Sequence, residues 1–342
     1  MVEICFEIHK IRSTIRGEDN AKDCIEALAE DFEIYLNSAV KDTPAAQFIE
    51  LSIHAAACPQ EKMPKTRKLF STEYCDVYGM GKLRTVVYGR ESVVILDARR
   101  NGKRFIEAFS PDSLLLYDIA FSVLMSQCGE LLEAQGFHRA HATALRYRNT
   151  RAVCLFDRGV GKSTLTAILR AKAQGDIKFY SDESPLIKRG AVYPFAFRMA
   201  LKADSWKELK DDCKELSKNQ RTLTRRIFPE KVAIGWKREE LSDPGPVNFL
   251  VIGMRAENSI AERHPQLTAL FALMKALFLG LGVMQMREYY LRFDPGHLWF
   301  LIKTAVSRFI SVVYIMNGAK KAIFVRSESP VKDAERLLRL IS

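Results

Sequence analysis

The segment VCLFDRGVGKSTLTAIL, residues 153–169, limits what this chain can fold into more than any other stretch. An apolar, β-rich run leads straight into a glycine-bearing loop, and the loop into a helix-forming run. A phosphate loop of the form G-x-x-x-x-G-K-[ST] needs that setting. Its backbone N–H groups wrap phosphate oxygens, and the N-terminus of the following helix adds partial positive charge. Gly159, Gly161, Lys162 and Ser163 fit the second half of the pattern, and Thr164 follows. In such loops the lysine reaches the terminal phosphates and the hydroxyl faces magnesium. Nucleotide phosphates are therefore expected at Arg158, Gly159, Val160, Gly161, Lys162, Ser163 and Thr164.

One position breaks the pattern. Phe156 stands where the first glycine belongs. It removes the residue best able to leave a strand through positive φ. The N–H groups of residues 157–163 remain to form the anion nest. Arg158 has two readings, an arginine supplied in cis to the terminal phosphate or a solvated surface side chain. Asp157 is unfavourable beside phosphate unless it turns away or pairs with Arg158.

The loop helix closes at Gly175, and IKFYSDE (177–183) reads as the next strand of a β–loop–α–β unit. Asp182 and Glu183 fall at its carboxyl end, which in a parallel sheet is the edge that carries the phosphate loop. Two adjacent acids there suggest divided labour. One takes a hydroxyl proton and the other helps hold magnesium. The plainer alternative is a pair of turn acids. His141, in HRAHATAL, shares a strand face with Thr143 and Leu145, and pairing would bring it beside the phosphates. On spacing alone, a lone strand histidine is more often structural.

Elsewhere the pattern alternates. Residues 1–110 read as a small α+β domain: a strand over 3–11, a helix over 20–39 and a strand over 47–57. A polar loop (59–68) and a β-rich block (73–109) follow, with turns at Gly81, Gly89 and Asn101-Gly102. At 110 the period becomes helical, with Ser110 or Asp112 as cap and Gly136 as the end. HRAHATALRYR and RAVCLF predict a hairpin, and SPLIKRGAVYPFAF predicts another around Arg189-Gly190. Residues 204–218 read as an exposed helix. The basic segment 218–231 is either a docking surface for an acceptor or a solvated face. FISVVYIM (309–316) reads as a strand, and 330–342 as a final helix. The pattern divides the chain into an N-terminal α+β domain at 1–110 and a second domain, bearing the phosphate-loop candidate, at 111–342. A length of 342 residues suits two domains.

Four features together resemble one family. HRAHATAL, GVGKST, YSDES and RGAVYPFAFRMALK look like the histidine strand, phosphate loop, Ser-Asp-Asp segment and following stretch of the HPr kinase/phosphorylase-like kinases. The likeness covers roughly 112–202. That set includes enzymes that phosphorylate a serine of ribosomal peptides such as lasso peptides. The resemblance implies an α/β chain: a phosphoenolpyruvate-carboxykinase-like P-loop kinase domain with a smaller N-terminal α+β domain, using ATP and Mg2+. It implies Asp182 as the base, Lys162 on the β- and γ-phosphates, and His141 assisting near the reaction centre. Ser163 and Glu183 would lie on the metal. Phe156, Arg158 and Glu183 depart from the family pattern. A further metal-site glutamate has no clear match among Glu208, Asp211, Asp212 and Glu215. The loop that bifunctional members use for their protein substrate is not recognisable, so HPr itself is not the expected acceptor.

The function expected is transfer of the γ-phosphoryl group of ATP to a hydroxyl, on a serine of a peptide or protein. Two alternatives stand beside it: a nucleotide-binding regulator or scaffold with a degenerate loop, and a kinase of a hydroxylated small molecule. The net charge of +11 favours acidic partners. No reading helix or aromatic stacking motif is recognisable, so nucleic acid is not the expected partner. Seven cysteines, with no C-x-x-C pair, suggest neither a zinc site nor a disulfide framework. With an N-terminus that lacks a signal-peptide layout, this makes a cytoplasmic location the expectation. The apolar run 267–286 is long enough to span a bilayer. Lys275 at its middle and two glycines make it a buried helix instead, with no membrane insertion expected. Self-association into a homo-oligomer is left open.

Overall fold

Strand β1 (Val2–Ile8) turns straight back into β2 (Ile11–Gly17). His9 and Lys10 both take positive φ, 47° and 67°. A left-handed two-residue turn of this kind matches the twist of the strands it joins. The sequence predicts one strand over 3–11 because neither residue is a glycine or asparagine that would announce the turn. The computed structural model describes all residues except 37–46, 81, 99–102, 157, 158, 160, 173, 174, 256–264, 280–285 and 328. Asp157, Arg158, Val160 and the turns at Gly81 and Asn101-Gly102 therefore lie outside the described residues.

The chain is mixed α/β and forms two compact units. The first holds Met1–Gln135, Thr224–Pro229 and Gly282–Ile302; the second holds Gly136–Leu223, Glu230–Leu281 and Lys303–Ser342.

In the first unit, helices α1 (Lys22–Asp31) and α2 (Glu33–Leu36) precede β3 (Gln47–His54), which pairs parallel to β2. Strands β4 (Lys68–Ser71), β5 (Asp76–Met80), β6 (Leu83–Tyr88), β7 (Ser92–Asp97) and β8 (Lys103–Phe109) form an antiparallel run, and β8 docks parallel on β3. The eight-stranded order is β1-β2-β3-β8-β7-β6-β5-β4. Helix α3 (Ser113–Ala134) packs on β2, β3, β7 and β8. The Asp112 carboxylate caps it by accepting from the Leu114 and Leu115 amides. The change of period at 110 marks this helix, and the helix belongs with the sheet before it.

α3 is apolar, and two of its buried acids, Asp118 and Glu130, are paired. Asp118 accepts from Arg225 Nε at 2.5 Å and from the Arg226 and Ile227 amides at 2.9 and 2.8 Å. Glu130 pairs with Arg104 at 3.2 Å and Arg292 at 2.6 Å. Part of the basic segment 218–231 is thus occupied inside the first unit. Arg225 is ion-paired and lies over the Phe228 ring, 4.4 Å from its centroid.

The second unit opens with β9 (His138–Arg139), a bend, β10 (Thr143–Tyr147) and β11 (Thr150–Phe156). The predicted hairpin of β10 and β11 is present, turning at Arg148-Asn149. HRAHATALRYR is not one strand, because β9 pairs in a different sheet from β10. Helix α4 (Lys162–Ala171) leads to β12 (Ile177–Ser181). β13 (Leu186–Lys188) and β14 (Ala191–Tyr193) form the second predicted hairpin, with Arg189 and Gly190 at φ 46° and 79°. β15 (Met199–Leu201) follows. The charged stretch after it breaks into α5 (Ala203–Leu209) and α6 (Lys214–Ser217) rather than one helix. Strands β16 (Gln220–Leu223), β17 (Lys231–Ile234), β18 (Gly245–Pro246) and β19 (Phe249–Arg255) precede α7 (Pro265–Met274). After α8 (Arg287–Tyr290), which belongs to the first unit, come α9 (Pro295–Gly318), of which residues through Ile302 are counted with the first unit, β20 (Lys320–Arg326) and α10 (Pro330–Ile341).

FISVVYIM is the end of α9, not a strand. Its β-branched residues are locally strand-like. Burial of Arg308, Ser311, Val312 and Ile315 follows the three-to-four spacing of a helix face instead. By length and composition, α3 and α9 are long and apolar enough to cross a bilayer. The 18-residue window is 83% buried in α3 and 28% in α9. The run singled out by the sequence, 267–286, forms a shorter apolar helix over Gln266–Phe278 that is not wholly buried, since Leu267 and Phe271 are exposed; residues 280–285 lie outside the described residues.

The central sheet of the second unit has the order β12-β10-β11-β19-β20. β11, β19 and β20 are parallel; β10 is antiparallel to both β11 and β12. Four strands therefore run one way and end on one edge. Val153, Leu155, Leu250 and Ile252 alternate onto one face and join Leu273 and Ile315 in the core. Each such buried side chain contributes roughly 1.5–3 kcal/mol.

Candidate phosphate-binding site

Strand β11 delivers the loop, and α4 receives it. Gly159 and Gly161 have φ of 76° and 77°, and Gly161 is the N-cap of α4. Side-chain-bearing residues avoid that region, so the two glycines that fit the motif are the two the backbone needs. Lys162, Ser163 and Thr164 form the first turn of α4 and are half-buried. Their amides lie among the helix N–H groups that have no partner within the helix.

Phe156 closes β11 in register with Gly253 of β19. A Cβ on Gly253 would lie 2.0 Å from the Phe156 ring, so the ring covers the glycine. Phe156 is 5% exposed. The missing first glycine is therefore a strand residue packed over a neighbouring strand, and the loop's left-handed turns fall further along. No signal in the motif announces this. It needs the pairing of β11 with β19.

Asp182 follows Ser181 at the end of β12, on the edge where β11 ends. It is 5% exposed, whereas Glu183 is exposed. Burial and the Glu183 charge push the Asp182 carboxyl up to about 7, against the pull of Lys162 and, more weakly, Arg170. The Ser181 hydroxyl accepts from the Glu183 and Ser184 amides at 3.2 and 2.9 Å, which fixes the turn that separates the two acids.

Thr143 ties the parts together. Its hydroxyl donates to the Asp182 carbonyl at 2.9 Å and lies 3.4 Å from the Thr166 hydroxyl. Thr166 in turn donates to the Lys162 carbonyl one turn back at 3.0 Å. A further turn along, Arg170 forks onto Glu240 with two contacts of 2.7 Å and lies 4.2 Å over Trp236. Lys162, Thr166 and Arg170 recur at four-residue spacing and share one face of α4. The motif named Lys162. The tethers Thr143, Thr166 and Ser181 were not singled out, and only Thr143's place on the His141 face hinted at them.

His141 sits in the bend between β9 and β10, not in a strand. Its amide donates to the Ala276 carbonyl at 3.0 Å, and the next amide, of Ala142, donates to the Glu183 carbonyl at 3.1 Å. The bend thus runs beside the turn that carries the acids. Lys162, Ser163, Asp182, Glu183 and His141 all belong to the second unit.

No family model matches this chain, and no curated protein matches it.

Proposed function

We propose that this protein is an ATP-dependent kinase akin to the HPr kinase/phosphorylase-like enzymes, built on a phosphoenolpyruvate-carboxykinase-like P-loop fold. It transfers the γ-phosphoryl group to a hydroxyl, on a serine of a peptide or protein. The observation that carries this reading is Asp182: a buried carboxyl pushed up to about 7, at the edge where the loop glycines and Lys162 lie. A carboxylate poised near neutral pH suits a general base.

Work divides among these residues. The amides of 161–164 and the Lys162 ammonium hold phosphate oxygens and offset their charge. Asp182 takes the proton of the acceptor hydroxyl as its oxygen attacks the γ-phosphorus, and the bond from that phosphorus to the β–γ bridging oxygen breaks, releasing ADP. Thr143 and Ser181 hold the backbone of 182–184 during that step. His141 stands near the reaction centre as an assisting group.

The donors also fit magnesium. Mg2+ in phosphoryl-transfer sites takes one or two carboxylates beside substrate phosphates and water. The Ser163 hydroxyl and the exposed Glu183 carboxylate are oxygen donors of that kind. Among the described residues no three His, Cys, Asp or Glu side chains cluster as a protein-only cage. Ser163 and Glu183 would hold the ion, which would supply positive charge against the charge that develops on the phosphates. A cytoplasmic setting goes with seven free thiols and with ATP as donor.

The test is label transfer from γ-labelled ATP, with magnesium, to a library of serine-containing peptides. Transfer by the wild type that Asp182→Asn abolishes supports the reading; undiminished transfer by the variant contradicts it. A second reading, a nucleotide-binding regulator, draws on Phe156 in place of the first loop glycine. Tight ATP binding without transfer to any peptide or small hydroxyl compound would favour it.

A further inference from the structure

The edge that carries the loop and Asp182 also carries the end of β20, and its last residue is an arginine. Arg326 Nη1 donates to the Gly161 carbonyl at 3.0 Å. A Cβ on Gly161 would meet three guanidinium atoms of Arg326 at 3.2–3.6 Å. The glycine is thus required twice, by its positive φ and by the arginine lying against it. The Arg326 side chain is 8% exposed and Asp333, at 0%, pairs with its Nε at 2.6 Å. Asp333 also accepts from the Ser327 amide and hydroxyl and from Arg336. It stands in the first turn of α10, which packs on α4.

The same Gly161 carbonyl accepts from the Leu165 amide at 3.0 Å, closing the first turn of α4. In a trans peptide the C=O and the following N–H point in opposite directions. Holding the Gly161 oxygen with two donors therefore fixes the direction of the Lys162 N–H, opposite to that oxygen and toward the N-terminal end of α4. A guanidinium at this point also adds fixed positive charge beside the anion nest.

We infer that Arg326 is a positioning residue of the phosphate loop, and that the strand–helix unit β20–α10 sets the loop through the relay Asp333, Arg326, Gly161. This inference deepens the proposed function and rests on that reading for the identity of the ligand. Arg326 does not act on phosphate directly; it fixes the peptide unit that does. An arginine serves here because its planar fork spans an acid and a carbonyl at once, which a lysine cannot do.

The test uses full-length protein and three probes: ATP with magnesium, inorganic tripolyphosphate with magnesium, and adenosine. Arg326→Gln alone leaves Asp333 buried beside fewer cations and risks the fold. The paired variant Arg326→Gln/Asp333→Asn removes both charges and is the main arm, with Arg326→Lys as the conservative arm. The result expected is that ATP and tripolyphosphate each weaken by about 10- to 100-fold in the paired variant, the range for losing a charge-assisted hydrogen bond. Adenosine binding stays within twofold, and Arg326→Lys restores little. Amide exchange at 161–163 in unliganded protein should quicken in the paired variant. A folded paired variant that binds tripolyphosphate like the wild type overturns the inference, as does full rescue by lysine. If the wild type binds neither ATP nor tripolyphosphate, the proposed function fails. Amide exchange alone then decides: unchanged rates overturn the relay, and quickened rates uphold it.

Discussion

Asp118 in the first unit and Asp182 in the second are both buried acids, and they are housed in opposite ways. Asp118 is saturated, with a guanidinium and two amides directed at its oxygens. Glu130, on the same helix, has two arginines. Asp182 sits instead with a second acid beside it and the Lys162 ammonium close by, and burial dominates, so its proton is held to about 7. A carboxylate that is fully paired is a strut. One kept near its neutral form at physiological pH is able to take and release a proton. On the proposed function, the contrast separates a structural carboxylate from a chemical one within one chain.

The sharpest way to break the comparison is by activity. Asp182→Asn should lower phosphoryl transfer by about 10^2- to 10^4-fold in rate assays, with ATP affinity kept. Asp118→Asn should leave transfer per folded molecule unchanged. Its cost appears in urea unfolding, where losing one partner of a buried pair destabilises by about 3–5 kcal/mol. Equal activity losses in the two variants would erase the distinction.

The pH dependence of stability sharpens the same point. The Asp182 pKa is raised in the folded state from 3.8 to about 7. Between those values the folded chain binds the extra proton. The associated stability is therefore fully present below about pH 4 and is lost as pH rises through about 7. The whole interval corresponds to about 4 kcal/mol. Asp182→Asn should thus gain stability relative to wild type from pH 4 to 8, measured by denaturant midpoints. A difference that stays flat with pH would remove Asp182 from its assigned state.

Two smaller effects probe the scaffold. Gly253→Ala places a methyl group against the Phe156 ring and should destabilise by about 1–3 kcal/mol through overpacking. Adding Phe156→Leu should recover part of that loss, and additive losses in the double variant would show that the ring and the glycine are not coupled. Thr143→Val removes the hydroxyl that ties Asp182 to α4 and should cost about 1 kcal/mol in unfolding experiments.

The local parts of the site were legible in sequence because their chemistry is local. Gly159 and Gly161 need positive φ, Lys162 and Ser163 follow them, and the β10–β11 turn and the Asp112 cap have short-range signals. What stayed hidden depends on residues far apart in the chain. Phe156 looks like damage to a motif until β19 brings Gly253 under its ring. Arg326 is an ordinary strand residue until β20 joins the sheet beside β19 and ends at Gly161. The end of α9 reads as a strand because Ile310, Val312 and Val313 favour strands locally, while packing imposes a helix. The hairpin at His9-Lys10 uses a left-handed turn without the residues that usually reveal one.

The most direct test of the account is calorimetric titration of ATP with magnesium into the wild type and into Lys162→Ala. The account predicts a saturable isotherm for the wild type that Lys162→Ala abolishes or weakens by at least tenfold, in a variant that unfolds as cooperatively as the parent. No heat of binding in a folded wild type, or equal binding by both proteins, would contradict a working phosphate loop at Gly159–Thr164.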